Sequence, residues 1–142
     1  MKTLLILQAR MNSSRLPGKI LMPLLGNIPL IGILLNRLKK AKKVDKIIVA
    51  TSDQKEDEVL IKYLKKHKYS FFRGSEKDTL ERFYRASKKF KAHVIIRITS
   101  DCPLSDPKLI DKLITKFFDK KPDYLANTFN VNRNKKLKNF WN

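Results

Sequence analysis

The chain has 142 residues, 42% of them hydrophobic, and carries a formal net charge of +19 at pH 7. This length fits one domain with a packed core, which excludes a chain that is disordered throughout. No apolar run reaches the roughly 18 to 20 residues of a membrane span, and the single cysteine, Cys102, excludes an internal disulfide.

Short apolar runs alternate with amphipathic stretches along the chain. The N-terminal run, residues 4–8, lacks the small-residue cleavage site of a signal peptide, so it predicts a first strand in a cytoplasmic protein. Nearly continuous apolar character predicts further strands that are covered on both faces. These strands span residues 46–51, 69–72 and 94–99, and residues 124–126 form a short fifth candidate.

Four helices are predicted from start signals that precede apolar residues at helical spacing. The signals are Pro29 at a first helical position, the capping pairs Asp53 with Glu56 and Asp78 with Glu81, and Asp106 before Pro107. The acidic run Glu56, Asp57 and Glu58 falls in the first turn of the second helix, where it complements the helix dipole. Asp78 is interpreted as an N-cap rather than a ligand.

The alternation of strands and helices predicts an α/β domain over residues 1–128, with a mainly parallel sheet and right-handed crossovers. Residues 129–142 are polar and show no period, so they are predicted to form an atypical tail. In parallel sheets ligands bind beyond the carboxyl ends of the strands. The loops that follow the strands are therefore the candidates for chemistry.

The first of these loops, residues 8–25, has the composition of a triphosphate-binding loop. Its polar and small residues are Arg10, Asn12, Ser13, Ser14, Arg15, Gly18 and Lys19. A triphosphate needs cations and closely spaced hydrogen-bond donors, and loops of this length are usually functional. Arg15 can bind two phosphate oxygens through its planar guanidinium, while Lys19 acts as a point charge. The loop is neither a Walker A motif, because Ser13 stands where glycine would be needed, nor a GxGxxG motif.

The loop after the fourth predicted strand offers a metal ligand. Asp101 is the best candidate, since Mg²⁺ takes one or two carboxylates together with phosphate oxygens; the alternative is a turn aspartate before Pro103. Arg97 is unusual in a buried strand and is expected to point toward the ligand or a carboxylate. Cys102 is expected to be a small buried residue.

The segment Q-A-R-M-N-S-S-R-L-P-G-K (residues 8–19) resembles the signature loop of the cytidylyltransferases that make CMP-activated acidic sugars. The closest resemblance is to the spore-coat polysaccharide biosynthesis protein F group, and the acylneuraminate and KDO cytidylyltransferases are more distant. The resemblance continues at family-like spacing through residues 47–53, 72–83 and 97–107. It implies a three-layer αβα, Rossmann-like fold of the nucleotide-diphospho-sugar transferase (GT-A-like) type.

This resemblance also implies an activity: binding of CTP with Mg²⁺ and transfer of CMP to a sugar acceptor for surface polysaccharide biosynthesis. Arg15, Lys19 and Asp101 are then the catalytic residues, with Asp101 on the metal and the two cations on the leaving pyrophosphate. The implied nucleotide-binding residues are Gln8, Ala9, Arg10, Met11, Asn12, Ser13, Arg15, Lys19, Thr51, Asp53, Arg73, Gly74 and Ser75. Asp53 is equally open to interpretation as a helix cap.

Relatives of this type continue past the matched segments with sugar-binding residues, a second acidic metal ligand and dimer contacts. After residue 127 this sequence resembles none of that, and Asp123 is its last acidic residue. The expectation is an incomplete sheet and site in a truncated family member, which needs a partner or a missing segment for full activity. A homodimer is expected only for full-length relatives.

Two other functions are compatible with the sequence. A nucleotide-sugar glycosyltransferase shares this general fold, but it usually carries an Asp-x-Asp motif, and Cys102 and Pro103 follow Asp101 here. A basic nucleic-acid-binding module would explain the charge. However, lysine outnumbers arginine by 24 to 8 and lies scattered over predicted helix faces, whereas nucleic-acid surfaces favour arginine forks and stacked aromatics. Nucleic acid and membranes are therefore not expected partners.

Overall fold

The structure, a computed structural model, describes residues 1–13 and 16–127 of the chain. In chain order the elements are β1 (Thr3–Gln8), β2 (Pro23–Leu25), β3 (Ile28–Pro29), α1 (Leu30–Leu38), β4 (Lys46–Ser52), α2 (Glu58–Lys66), β5 (Phe71–Gly74), α3 (Thr79–Lys89), β6 (Val94–Thr99) and α4 (Pro107–Lys120). One-turn 3₁₀ helices lie at Lys19–Leu21 and Lys55–Asp57. No helix within these described ranges is long and apolar enough to span a membrane.

The main sheet is parallel, with the strand order β5-β4-β1-β6. Successive residues of β1 point to opposite faces of the sheet and are buried on both. Leu5 and Leu7 pack with α1, α2 and α4, while Leu4 and Ile6 pack with Phe83 and its neighbours on α3. The predicted α/β fold with a mainly parallel sheet between two helical layers is confirmed.

The expected burial of every strand on both faces is wrong for β6. Within the described residues, β6 pairs on one side only, with β1, and Ile95 and Arg97 are exposed. Arg97 Nη2 donates to Gln8 Oε1 at 3.1 Å, and its guanidinium lies over the Phe83 ring. Arg97 is in register with Ile6 and so points to the face of the sheet on which α3 packs, but at β6 this face is not fully covered and the charge stays exposed. Its partner is an amide oxygen rather than a carboxylate.

Two of the predicted helix starts are confirmed by their caps. Asp78 Oδ1 accepts from Glu81 N at 2.8 Å, and Asp106 Oδ1 accepts from Lys108 N at 2.9 Å ahead of Pro107. The capping role predicted for Asp53 is wrong, because Gln54 occupies the N-cap position and the Asp53 carboxylate accepts from the Gln54 side chain instead. Pro29 precedes the first helical residue by one position.

Local structure accounts for the other differences from the sequence-based elements. The segment after β1 contains a short β2–β3 hairpin that alternation did not predict. β5 lies two residues later than expected because Lys68 turns the chain at the end of α2. Residues 124–126 are not a strand. The predicted tail, 129–142, lies outside the described residues.

Candidate functional site

A cavity of about 230 Å³ opens where the loops after β1 and β6 meet. Gln8 and Thr99 are paired in the sheet, so the two loops leave it side by side. The lining residues are Gln8, Ala9, Arg10, Asn12, Ser13, Lys19, Thr99, Ser100 and Asp101. The structure thus brings together seven residues selected from the sequence, in a position typical of ligand sites in parallel sheets. Met11 packs beside them, whereas Ser14 and Arg15 lie outside the described residues.

Backbone geometry fixes Lys19 at the rim of this cavity. Gly18 has φ +74°, a left-handed conformation that favours glycine, and its N–H donates to Met11 O at 2.9 Å. The following 3₁₀ turn buries Ile20, which is 1% exposed. Because Ile20 anchors the turn in the core, the preceding lysine is held toward the cavity.

Asp101 lies opposite Lys19 in the turn after β6. Hydrogen bonding from the Thr99 side chain lowers the pKa of Asp101 below its ordinary value. Burial opposes this shift, and the positive charge of Lys19 adds to it. The carboxylate is therefore ionised at neutral pH and accessible from the cavity. Cys102, expected to be buried, is exposed, because it follows the strand into this open turn.

The ligand chemistry of Asp101 suits a cation shared with a substrate. Within residues 1–13 and 16–127, no three His, Cys, Asp or Glu side chains are grouped to hold a metal by themselves. Mg²⁺ usually takes only one or two carboxylates and completes its shell with phosphate oxygens and water. One exposed carboxylate beside a cationic, donor-rich loop fits that mode of binding.

The loops after β4 and β5 form a second group, in which the polar atoms are already used. The guanidinium of Arg73 binds the Glu58 carboxylate and donates to the carbonyl oxygens of Ser52 (3.3 Å), Asp53 (3.0 Å) and Gln54 (3.3 Å). Arg73 therefore closes the loop after β4 rather than pointing a free fork at the cavity.

The remaining predicted residues of this second group differ in exposure. Thr51 is fully buried, whereas Asp53 is exposed and its N–H donates to Gly74 O at 3.0 Å. Gly74 lies in a close-packed position, since a Cβ there would be 3.1 Å from both Arg82 Cγ and Phe72 Cε1. Ser75 Oγ accepts from Asp78 N at 3.0 Å.

Glu76 joins the two groups. Its Oε1 lies 4.0 Å from Arg10 Nη1 and 3.5 Å from Asn12 Nδ2. The loop after β5 thus contacts two residues of the loop after β1 that line the cavity.

Two buried charged residues near the site were not selected from the sequence. Asp57, 1% exposed, accepts hydrogen bonds from Met11, Thr51 and Ser52. Asp57 stands between Glu56 and Glu58, so the sequence predicted an exposed charge in the first turn of a helix. Its spacing from the end of β4 was the only available signal.

Arg82 is the other buried charge, also 1% exposed. Its Nη1 donates to Ser75 O at 2.5 Å, and its Nε has no partner among the described residues. Burial lowers the pKa of Arg82, and the nearby charge of Arg10 acts in the same direction. Its position on the apolar side of α3 was not foreseen, because arginine is rarely fully buried.

The chain matches the family model described as cytidylyltransferase over residues 4–140. It is 43% identical over 125 residues to the spore coat polysaccharide biosynthesis protein SpsF of Bacillus subtilis, covering 85% of this chain and 52% of that protein. A solved cytidylyltransferase from Leptospira borgpetersenii superposes with a TM-score of 0.80 at 38% identity, covering 85% of this chain and 50% of the other.

A third match, at 24% identity, concerns the fold alone. It is the structure of CMP:2-keto-3-deoxy-manno-octonic acid synthetase complexed with CTP, with a TM-score of 0.73 over 85% of this chain and 49% of the other. The chain spans about half the length of the proteins it matches. The family model matches residues 4–140, which is nearly the whole of this chain, and every residue that lines the cavity lies within that match. The chain belongs to the cytidylyltransferase family.

Proposed function

We propose that this chain binds CTP with Mg²⁺ in the cavity between the loops after β1 and β6. It would supply the nucleotide half of a site that transfers CMP to a sugar for surface polysaccharide biosynthesis, in the cytoplasm. The observation that carries the proposal is the meeting of Lys19, Asp101 and the donor-rich loop after β1 on one cavity. A cation, a carboxylate and backbone donors at this edge of a parallel sheet suit a metal-bound triphosphate.

The reaction proposed is nucleotidyl transfer. An oxygen of the sugar attacks the α-phosphorus of CTP, the bond from that phosphorus to the bridging oxygen breaks, and pyrophosphate leaves with the bonding electrons. Such transfer requires alignment and neutralisation of charge rather than a covalent enzyme intermediate. Lys19, together with Arg15, would neutralise the leaving pyrophosphate, while residues 8–13 would hold the phosphates.

Asp101 is the residue proposed to hold Mg²⁺, a role supported by its exposure and ionised state. When bound, the metal supplies charge neutralisation at the phosphate oxygens. Base and ribose contacts are proposed for the ends of β4 and β5 and the loops that follow them, through the backbone at Thr51, Arg73 and Gly74 and through Asp53 and Ser75. Because Arg73 and Thr51 already hold neighbouring loop atoms, backbone groups of these loops are the better-placed donors and acceptors.

The acceptor side of the site is proposed to require residues beyond those matched here, because the matched relatives are about twice as long. Residues 1–127 are then expected to bind the nucleotide, and transfer of CMP is expected to need the acceptor side as well. A dimer, as proposed for full-length relatives, would depend on the same part.

Thermal melting tests the nucleotide half directly. Purified chain is melted with Mg²⁺ and each of CTP, ATP, GTP and UTP in turn. A ligand at about 100 times its Kd adds roughly 2.7 kcal/mol to the free energy of unfolding. We expect the largest rise in Tm with CTP, and its loss in Asp101→Asn.

Asp123→Asn is the matched control, since Asp123 is another exposed aspartate outside the cavity. It removes the same charge and should leave the CTP shift intact. A cooperative melt that no nucleotide shifts would overturn the proposed function, and an equal shift from duplex DNA that fades with added salt would favour the nucleic-acid alternative.

A further inference from the structure

The carboxylate of Asp57 is buried where three segments of the chain meet. Its Oδ1 accepts from Met11 N at 2.6 Å. Its Oδ2 accepts from Thr51 Oγ1 at 2.8 Å, from Ser52 N at 3.0 Å and from Ser52 Oγ at 2.5 Å. A buried carboxylate is tolerated only when hydrogen bonds replace its hydration, and here four donors do so, one on Oδ1 and three on Oδ2.

Two of these donors are backbone N–H groups, which cannot accept a hydrogen bond. An asparagine at position 57 would turn its amide group toward donors on at least one side. The site is therefore matched to a carboxylate, and the loss of its charge would leave a buried donor without a partner.

The bond to Met11 reaches the nucleotide cavity through the backbone. Met11 lies between Arg10 and Asn12, both of which line the cavity. Its N–H is held by Asp57, and its carbonyl oxygen accepts from the N–H of Gly18 at 2.9 Å. One peptide segment thus connects the buried carboxylate to the turn that carries Lys19.

We propose that Asp57 is a positioning residue of the nucleotide site, which sets the loop after β1 in its phosphate-binding conformation without touching the nucleotide. This rests on the proposed function. A loop that is held in place before binding loses less conformational freedom when the ligand arrives, so the carboxylate increases affinity for the phosphates. The bonds to Thr51 and Ser52 stabilise the end of β4, and the bond to Met11 carries the functional effect.

The test compares affinities for Mg–CTP and for CMP by calorimetry in the wild-type chain and three variants, below the Tm of each. Asp57→Asn should weaken Mg–CTP binding about tenfold, the effect of one buried donor left unpaired, and CMP binding about twofold at most. Glu56→Gln, which removes the neighbouring exposed charge, should change neither affinity. Ser52→Ala, which removes a hydroxyl donor to Asp57 but keeps the Met11 bond, should lower Tm and leave the ratio of the two affinities unchanged.

The outcomes separate this proposal from the one on which it rests. If the wild-type chain binds no nucleotide, the proposed function fails and the role of Asp57 fails with it. If the wild-type chain binds Mg–CTP and Asp57→Asn binds it equally well, or loses CMP in equal measure, only the positioning role is overturned.

Should Asp57→Asn fail to fold, amide hydrogen exchange in the wild-type chain decides. A Met11 amide that exchanges as slowly as the buried amides of β1 supports the proposal. Exchange of the Met11 amide at the rate of an unprotected peptide overturns it.

Discussion

The two pairs of loops at the carboxyl edge of the sheet use their polar residues in opposite ways. After β1 and β6, Lys19 and Asp101 face an open cavity. At the ends of β4 and β5 the polar groups bind other parts of the chain instead. Arg73 donates to the carbonyl oxygens of Ser52 and Asp53, and Asp57 accepts from Thr51. The comparison teaches that charged residues at this edge of the sheet have two roles. Some face the cavity and are available to a ligand, and others hold the loops in place through hydrogen bonds.

The largest expected effect comes from the open pair of loops. Lys19→Met should weaken Mg–CTP binding by about 30-fold, since a charged hydrogen bond contributes roughly 1.5 to 3 kcal/mol. Its free energy of unfolding should change by less than about 0.5 kcal/mol. Calorimetry and urea denaturation measure the two quantities, and Lys116→Met on α4 is the control. A loss of stability as large as the loss of affinity would erase the contrast between the two pairs of loops.

Arg73→Met should show the reverse pattern. Three backbone oxygens and the Glu58 carboxylate lose their donor, so we expect the free energy of unfolding to fall by about 1 to 2 kcal/mol. Affinity for Mg–CTP should change by less than about twofold. Arg85→Met, which removes an exposed arginine paired only with Glu81 across one helical turn, should have little effect on either. A drop in affinity without a drop in stability would assign Arg73 to the ligand.

The sequence predicted the role of the loops after β1 and β6 better than that of the loops after β4 and β5, for a physical reason. Loop length, charge and placement after a strand are visible in the residue order, and they selected most of the cavity lining. Whether Arg73 binds a ligand or four groups of the segment between β4 and α2 depends on distances between residues 15 to 21 positions apart. Asp57 shows the same limit, because the neighbouring residues in the sequence do not distinguish an exposed carboxylate from a buried one.

The fold was foreseen to a similar extent. Continuous apolar runs identified the parallel strands, and capping aspartates located two helix starts. The β2–β3 hairpin was missed because its two strands are three and two residues long, too short for a period. The exposure of Ile95 and Arg97 depends on how far the helical layer extends over the sheet at β6, and no local pattern in the sequence reports that.

The titration of Asp101 sharpens the comparison further. Since the pKa of Asp101 in the folded chain lies below the ordinary 3.8, its ionised form contributes stability above that pH. This contribution is lost as pH falls through the folded pKa. The difference in stability between the wild-type chain and Asp101→Asn should be flat near neutrality and shrink below about pH 4. Urea denaturation against pH measures it.

The same carboxyl group can be followed by NMR. Thr99→Val should raise the pKa of Asp101 more than Lys19→Met does, because the Thr99 hydrogen bond is the larger cause of the shift. A pKa of Asp101 that Lys19→Met leaves unchanged would show that the two sides of the cavity do not interact electrostatically.

The smallest expected effect lies at the opposite edge of the sheet. Lys91, two residues beyond the end of α3, has φ +51°, a left-handed conformation in which glycine is favoured. Lys91→Gly should raise the free energy of unfolding by up to about 1 kcal/mol and leave Mg–CTP affinity unchanged. Lys112→Gly, inside α4, should instead lower it by about 0.5 to 1 kcal/mol. Scanning calorimetry distinguishes the two signs.

Within residues 1–13 and 16–127, no strand pairs with the side of β6 that faces away from β1, and this has a consequence for how the protein behaves at high concentration. The strand reads VIIRIT, a six-residue run in which the one charge is Arg97. A flat, apolar strand edge is a template for intermolecular pairing and fibril growth, and a charge in its middle opposes that pairing. We therefore expect the charge of Arg97 to oppose aggregation through this edge. Its replacement by valine would leave an uninterrupted β-branched segment along the edge.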